Sequence, residues 1–314
     1  MTETANTINT LVAGVVQVGG GVVLAPLLPG LVQSFKGRLQ GRRGPSPFQP
    51  YRELARLWTR SPVSPEGVSA IYGVVPAVVA ASLALALLLV PIGGVSPEWP
   101  VGHDALLVVG LLALARFALA ASAWDTGSGF GLMSAARDLT LGVAVEGLLL
   151  LVLVLASLPL GSTDLRSLSD AAAGAAIWTA PAHWMAALGF ALVVIAETGR
   201  QPVDNPDTHL ELTMIHEGPL LEYAGRDLAF LQWAAAARHW IVLTLAVELF
   251  LPHPTAFAGR LLALAVGLPV LCFGLALVES WQAKMRLLRV PRLLAMGAAF
   301  CLVGLITWFA GGRL

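Results

Sequence analysis

Charged side chains set inside long apolar runs are the residues of this sequence with most chemistry to offer. Arg116 falls midway along one run, Glu146 about two turns into the next, Arg238 with His239 near the middle of a later one, and Glu248 nearer its far end. Asp125, Asp138, Glu197 and Glu279 sit at the mouths of the runs. Ionisable groups inside a membrane are costly and face a bundle interior or a water path. Buried carboxyl groups beside arginines are poised between two opposing influences on their protonation, so a cluster of this kind reads as the start of a proton route. The plainer reading, that Arg116 and Arg238 neutralise neighbouring acids and hold helices together, stands beside it.

Such residues need a membrane around them, and the composition supplies one. The apolar set makes up 57% of the 314 residues and charged residues only 12%, against about 25% charged in a soluble domain. Basic and acidic residues balance at 19 each, which excludes a strongly basic nucleic-acid binder and an acidic disordered tail. Cys272 and Cys301 lie far apart in apolar runs, so a disulfide scaffold and a cysteine-ligated cluster are excluded.

A bilayer core takes about 20 mostly apolar helical residues. Eight stretches meet that need, near Leu11–Val32, Ala70–Pro91, Leu106–Trp124, Leu139–Leu160, Ala175–Ala196, Leu228–Leu251, Leu261–Val278 and Leu293–Phe309. They are Leu/Ala/Val-rich without strict alternation, so helices are expected in place of barrel strands. The expected fold is all-α: one integral membrane domain over residues 1–314, a bundle of about eight transmembrane helices with a short amphipathic cytoplasmic helix. The odd-numbered connections hold Lys36, Arg38, Arg42, Arg43, Arg52, Arg56, Arg60, Arg137, Arg200, Arg226, Lys284, Arg286, Arg289 and Arg292, whereas the even-numbered ones hold only Arg166 and Arg260. By the positive-inside rule the odd connections are cytoplasmic and both termini lie outside. Met1–Thr10 has no positive n-region, so the first span reads as a retained helix.

Two cytoplasmic connections are more than linkers. In residues 37–66, Phe48, Tyr51, Leu54, Ala55 and Trp58 recur three or four apart, a single helical stripe. Arg52, Arg56 and Arg60 occupy another face and Pro50 stands near the helix start. This is a basic amphipathic helix on the inner leaflet, either a headgroup anchor or a docking surface for a partner subunit. Residues 197–227 carry Glu197, Asp204, Asp207, Glu211, Glu217, Glu222 and Asp227 with Arg200, Arg226, His209 and His216. Pro202 and Pro206 force extended backbone, and Asp207 or Thr208 can cap a short helix. Apolar residues interleave throughout, so the segment is expected to fold back into the membrane surface. His216-Glu217 begins HExxH, but Leu220 occupies the fifth position, so the zinc-hydrolase spacing is absent. His183 and His239 lie at different depths and read as core histidines, not as a haem pair.

Several separated motifs resemble a known family: GRLQGRRGPSPFQPYRELARLW (Gly37–Trp58), DTGSGFGLMSAARDLTLGVAVE (Asp125–Glu146), ETGRQPVDNPDTHLELTMIHE (Glu197–Glu217), LEYAGRD (Leu221–Asp227) and ESWQAKMRLLRVPRLL (Glu279–Leu294). They are similar to the membrane (heel) subunit of energy-converting [NiFe]-hydrogenases and formate hydrogenlyase, itself homologous to subunit 1 of the respiratory NADH:quinone oxidoreductase. Glu146, Glu197, Arg200, Pro202, Asp204, Pro206, Glu211, Glu222 and Tyr223 fall on positions that the quinone-reducing relatives also use. Those relatives carry a Glu-Arg pair just after the first span where this chain has Val32-Gln33. One loop acid is replaced by His209, and the Glu217–Tyr223 stretch is longer, so the hydrogenase branch matches better.

The resemblance implies a non-catalytic subunit with no redox cofactor of its own, in a prokaryotic cell membrane. Hydrogenase-like large and small subunits, with a [NiFe] centre and iron–sulfur clusters, and a further iron–sulfur subunit are the expected cytoplasmic partners. Antiporter-like subunits are the expected membrane partners. Glu146, Glu197, Asp204, Glu211, Glu217, Glu222, Arg238, Glu279, Arg116 and Asp138 are the expected coupling residues for proton or sodium translocation. Arg42, Arg43, Arg52, Arg56, Arg200 and Arg226 are the expected docking residues. A quinone-site-forming subunit and a purely structural anchor are the competing expectations.

Overall fold

The computed structural model describes Gly14 and residues 17–92, 102–204 and 214–310. Helix α1 (Gln17–Leu39) carries a turn at Ala25–Pro26, and α2 is the short amphipathic helix Gln49–Trp58. Next come α3 (Ala70–Leu89), α4 (Ala105–Asp125), α5 (Gly129–Ser157) and the short α6 (Leu165–Ala172). The bundle is completed by α7 (Pro181–Glu197), α8 (Gly225–Phe250), α9 (Phe257–Trp281) and α10 (Val290–Ala310). Among the described residues, seven helices are long and apolar enough to cross a membrane, and α7 is a shorter apolar helix of 17 residues packed against α5 and α10. The expected all-α membrane bundle is the fold observed.

Hydrogen bonds at the helix ends define two faces. At one, Asp125 of α4 accepts from the backbone N–H groups of Ser69 (2.9 Å) and Tyr72 (3.3 Å), capping α3. That face also carries α2 and the loop after α7. At the other, α6 is tied to the start of α4, where Leu165 N–H donates to the His103 carbonyl at 2.8 Å. Gln17 there donates to the Leu87 carbonyl at 3.1 Å.

Helix boundaries depart from the hydropathy reading where polar residues are buried. The fourth span begins at Gly129, ten residues before the expected Leu139, because Ser134 and Asp138 are sheltered by the loop after α7 and by Arg116. The expected fifth span from Ala175 resolves into a 3-10 turn, Ala176–Thr179, followed by α7 with Pro181 at its start. Helix α6 escaped the hydropathy reading: Asp164 caps it, its side chain accepting from Ser167 N–H at 2.9 Å, and only one of its faces is apolar. Helix α1 runs on past Val32 to Leu39, so Lys36 is a buried helix residue and not a loop charge. Residues 11–13, 15 and 16 of the expected first span lie outside the described residues.

Of the expected α2 stripe, Tyr51 and Leu54 are half-buried, whereas Phe48, Ala55 and Trp58 are exposed. Tyr51 Oη donates to the Val23 carbonyl at 2.5 Å, and Trp58 packs edge-on against Phe230 of α8 with ring centroids 5.0 Å apart. This fixes α2 across α1 and α8, with Arg52 and Arg56 left exposed.

Candidate functional site: a buried ion-pair network

Arg116 of α4 is the hub. Its Nη2 lies 2.9 Å from Glu197 Oε1, its Nη1 lies 2.6 Å from Glu146 Oε1, and its Nε lies 3.7 Å from Asp138 Oδ1. Arg238 of α8 completes the cluster, with Nη1 3.1 Å from Glu197 Oε2 and Nη2 donating to the Leu112 carbonyl. Four helices thus meet on three carboxylates and two guanidiniums. Arg116 is only 4% exposed, so its partners must offset the cost of taking it out of water. The sequence makes room for it with Gly142, where an ideal Cβ would stand 2.5 Å from Arg116 Cδ.

The loop after α7 brings a second set of charges to the first. Ser134 of α5 donates to the Ile215 carbonyl at 2.8 Å, and Gly218 packs on Ser134 with no space for a side chain. Held there, His216 places Nε2 3.7 Å from Asp138 and Nδ1 3.2 Å from Asp204. Asp204 also receives Lys284 Nζ at 2.8 Å. A chain of titratable groups therefore runs Lys284, Asp204, His216, Asp138, Arg116, and on to Glu197 and Glu146. Burial pushes the Asp204 carboxyl up, but His216 and Lys284 outweigh it and hold it well below the usual carboxylate range. Burial disfavours the His216 imidazolium, yet the hydrogen bond it donates to Asp204 and the charge of Asp138 win, so its pKa is raised.

A third group lies beside these. Glu279 of α9 accepts from Lys36 Nζ of α1 at 3.0 Å and from Arg200 Nη1 at 3.4 Å. The backbone between Arg200 and Asp204 is a tight turn, with Val203 N–H donating to the Arg200 carbonyl at 2.9 Å, where Pro202 led to an expectation of extended chain. That turn aims Arg200 inward and Asp204 at His216. Arg200, expected on a docking surface, is 4% exposed and paired with Glu279; a charge so buried cannot meet a partner subunit. Arg42, Arg43, Arg52, Arg56 and Arg226 are exposed.

Glu217 stands at the edge of the network, among the residues lining the cavity described below. Glu222 is half-buried, and its backbone carbonyl accepts from Tyr72 Oη at 2.7 Å. Beside it Tyr223 stacks on Tyr72 at a centroid distance of 4.4 Å, and burial pushes the Tyr223 phenol up to about 12. Glu211, His209, Pro206, Asp207 and Thr208 lie outside the described residues. Among the described residues no group of three His, Cys, Asp or Glu side chains is arranged to hold a metal ion.

The sequence reading missed Lys36, Lys284 and His216 as network members. In the sequence Lys36 and Lys284 signal only topology, and nothing local marks their partners 243 and 80 residues away. In the sequence His216 reads as half of an incomplete zinc motif, although its place between two acid-bearing segments is a signal of its role.

A cavity of about 620 Å³ opens beside α2 and ends on the network. Pro50 and Leu54 of α2 line one part, and Arg116, Glu197, His216 and Arg238 line another. Its size is ordinary for a small-molecule site. The α2 wall mixes Pro50 and Leu54 with Gln49 and Glu53, and the wall within the bundle is charged.

The NADH dehydrogenase family model matches residues 12–310. This chain belongs to that family. It is 32% identical over 300 residues to hydrogenase-4 component C of Escherichia coli (strain K12), covering 92% of this chain and 93% of that one. It is also 32% identical over 306 residues to formate hydrogenlyase subunit 4 of the same organism, covering 91% and 95%. Similarity to NADH-ubiquinone oxidoreductase chain 1 of Tetraodon nigroviridis is 29% over 230 residues, 70% of this chain and 68% of that one. The fold matches a chain in the structure of the membrane-bound sulfane sulfur reductase, an archaeal respiratory membrane complex, with a TM-score of 0.84 at 18% identity. That match covers 95% of this chain and 99% of the other.

Proposed function

We propose that this family member is the non-catalytic membrane subunit of a hydrogenase-type respiratory complex, coupling electron transfer in a peripheral arm to proton translocation. The peripheral arm, holding a [NiFe] centre and iron–sulfur clusters, docks on the α2 face, where Arg42, Arg43, Arg52, Arg56 and Arg226 are exposed. That face is cytoplasmic by the positive-inside rule, so both termini lie outside the cell's plasma membrane. One observation carries the reading: the titratable groups of the loop after α7 connect without a break to three carboxylates inside the bundle. A change of charge beneath the loop is felt at Asp204 and His216 and passed to Asp138, where it alters the sharing of Arg116 among its acids. The match to two hydrogenase-complex subunits at 32% identity over nearly full length supports this reading over a solitary transporter.

The test is affinity purification of the tagged chain from native membranes, with its companions identified. Hydrogenase-like large and small subunits, an iron–sulfur subunit and antiporter-like membrane subunits are the expected companions. A chain that purifies alone and transports solute in liposomes overturns the proposal.

The cavity favours a second reading, in which a quinone enters beside α2 and places its polar head near the network. A quinone-site photolabel that marks cavity residues such as Leu54 in the assembled complex supports it, and labelling that ignores this chain removes it.

A further inference from the structure

Across Leu54 of α2 from the charged cavity lies a groove of about 460 Å³ whose walls are apolar throughout. Leu54 and Trp58 form one wall and Ala80, Ala81 and Ala84 of α3 another. Ala229, Phe230 and Trp233 of α8 form a third. Because Leu54 lines both spaces, α2 is the partition between them. The groove opens outward: Trp58, Ala81 and Phe230 are exposed, and α3 and α8 are membrane-crossing helices.

The backbone beside the groove is satisfied by the groove's own residues. Pro26 has no N–H, so it leaves the Val22 carbonyl, four residues before it, without a helical donor. The Trp233 indole N–H supplies one at 3.1 Å. Tyr51 Oη donates in the same way to the neighbouring Val23 carbonyl. With those carbonyls satisfied, the walls offer water no partner, and an apolar space without polar partners stays dry. In a bilayer the material at hand to fill it is hydrocarbon.

The end of the groove nearest α2 is basic. Arg226 stands three, four and seven residues before Ala229, Phe230 and Trp233, so it heads the same stripe of α8. Arg60 follows Trp58 just past the end of α2. Backbone contact holds the two segments together. Gly225 has φ +56°, and an ideal Cβ there would stand 2.4 Å from the Ser61 carbonyl oxygen and 2.7 Å from that of Arg60. Both arginines are exposed, and neither makes an ion pair among the described residues. Asp227, the nearest acid in the chain, is half-buried and one position further round α8. Arg226 borders the face proposed above for the peripheral arm, and its place on the stripe gives it to the groove.

We infer that the groove holds one acyl chain of an anionic phospholipid, with the phosphate on Arg60 and Arg226. A guanidinium binds phosphate oxygens through paired N–H donors, and clustered basic residues at a membrane surface favour anionic lipids. Trp58, beside Arg60, suits the boundary between headgroups and hydrocarbon. The bound chain wedges α2 against α3 and α8 and keeps the partition at Leu54 in place.

The experiment uses the whole complex in lipid nanodiscs, with a photoactivatable group in the acyl chain of either phosphatidylglycerol or phosphatidylethanolamine at equal mole fraction. Crosslinked peptides are identified by mass spectrometry. The phosphatidylglycerol probe should mark the peptides carrying Ala81 and Phe230 several-fold more than the phosphatidylethanolamine probe does. Arg60→Gln with Arg226→Gln should remove that preference, and Ala81→Trp, which fills the groove from its exposed side, should lower labelling by both probes. An excess of isoprenoid quinone should leave the labelling unchanged. Equal labelling by the two probes, a preference that survives the double arginine variant, or displacement by quinone overturns the inference. Absence of labelling because a partner subunit covers the groove overturns it as well. If Ala81→Trp fails to assemble, the double variant decides the matter, since both of its side chains are exposed. The readout is labelling and not turnover or translocation, so its outcome is separate from that of the proposed coupling role.

Discussion

A single nitrogen of Arg116 holds both oxygens of Glu197: Nη2 lies 2.9 Å from Oε1 and 3.0 Å from Oε2. The other terminal nitrogen of the same guanidinium is turned to Glu146. One cation is therefore shared between acids on two helices, and any change in the charge of one acid alters how tightly it holds the other. Arg238, on Glu197 alone among these acids, keeps that carboxylate compensated while Arg116 is redistributed.

Removing the hub should be severe. Arg116→Leu leaves Glu146, Glu197 and Asp138 clustered with only Arg238 as a direct guanidinium partner, and breaking a buried pair costs about 3–5 kcal/mol. The expected outcome is loss of assembled complex, or a large drop in its melting temperature. Arg116→Lys keeps the charge but not the fork that serves several acids at once, so an intermediate loss is expected in the same thermal assay.

Gly142→Ala tests the same hub from the backbone side. Its new Cβ would stand 2.5 Å from Arg116 Cδ and from Nη1, so the guanidinium must shift although no charge is removed. Lowered proton translocation with normal subunit content is the expected result, measured in proteoliposomes. Wild-type coupling would show that the position of Arg116 is not critical.

His216 gives the loop a pH dependence with a defined sign. Its folded pKa is raised above the ordinary value near 6.5. Its pairing therefore stabilises fully below about 6.5 and fades as pH rises through the folded value. The melting-temperature difference between wild type and His216→Asn should be greatest below the ordinary histidine value and shrink as pH rises through the raised folded value. A difference that grows with pH would contradict the assignment.

Asp204 behaves in the opposite sense. Its folded pKa is depressed, so its stabilisation is present above the ordinary value of about 3.9 and is lost only as pH falls through the lower folded value. Asp204→Asn removes the charge that holds Lys284 and His216. Faster hydrogen–deuterium exchange is expected at neutral pH in peptides covering Met214–Tyr223 and Gln282–Arg289. The second segment responds because Met285 N–H donates to the Pro202 carbonyl at 2.9 Å, beside the same turn.

The membrane bundle was legible because apolar runs and the three-to-four spacing of Tyr51, Leu54 and Trp58 follow directly from helix geometry. Arg116, Glu146 and Arg238 stood out because a charge in an apolar run needs a partner. The pairings themselves were not legible: Lys36 meets Glu279 from 243 residues away, and no local pattern encodes such a contact. Hydropathy misplaced the start of α5 for the same reason, since Asp138 looks solvated until Arg116 is placed beside it. The sequence points Arg200 outward because a basic residue near a loop usually faces water; the turn at Val203 directs it in.

The central claim is that charge shared through Arg116 couples the loop to translocation. Its most direct test is the number of protons translocated per electron in the complex carrying Glu146→Gln or Glu197→Gln, set against electron turnover in the same vesicles. The account predicts that translocation per electron falls in both variants. Wild-type translocation and wild-type turnover in both would contradict it.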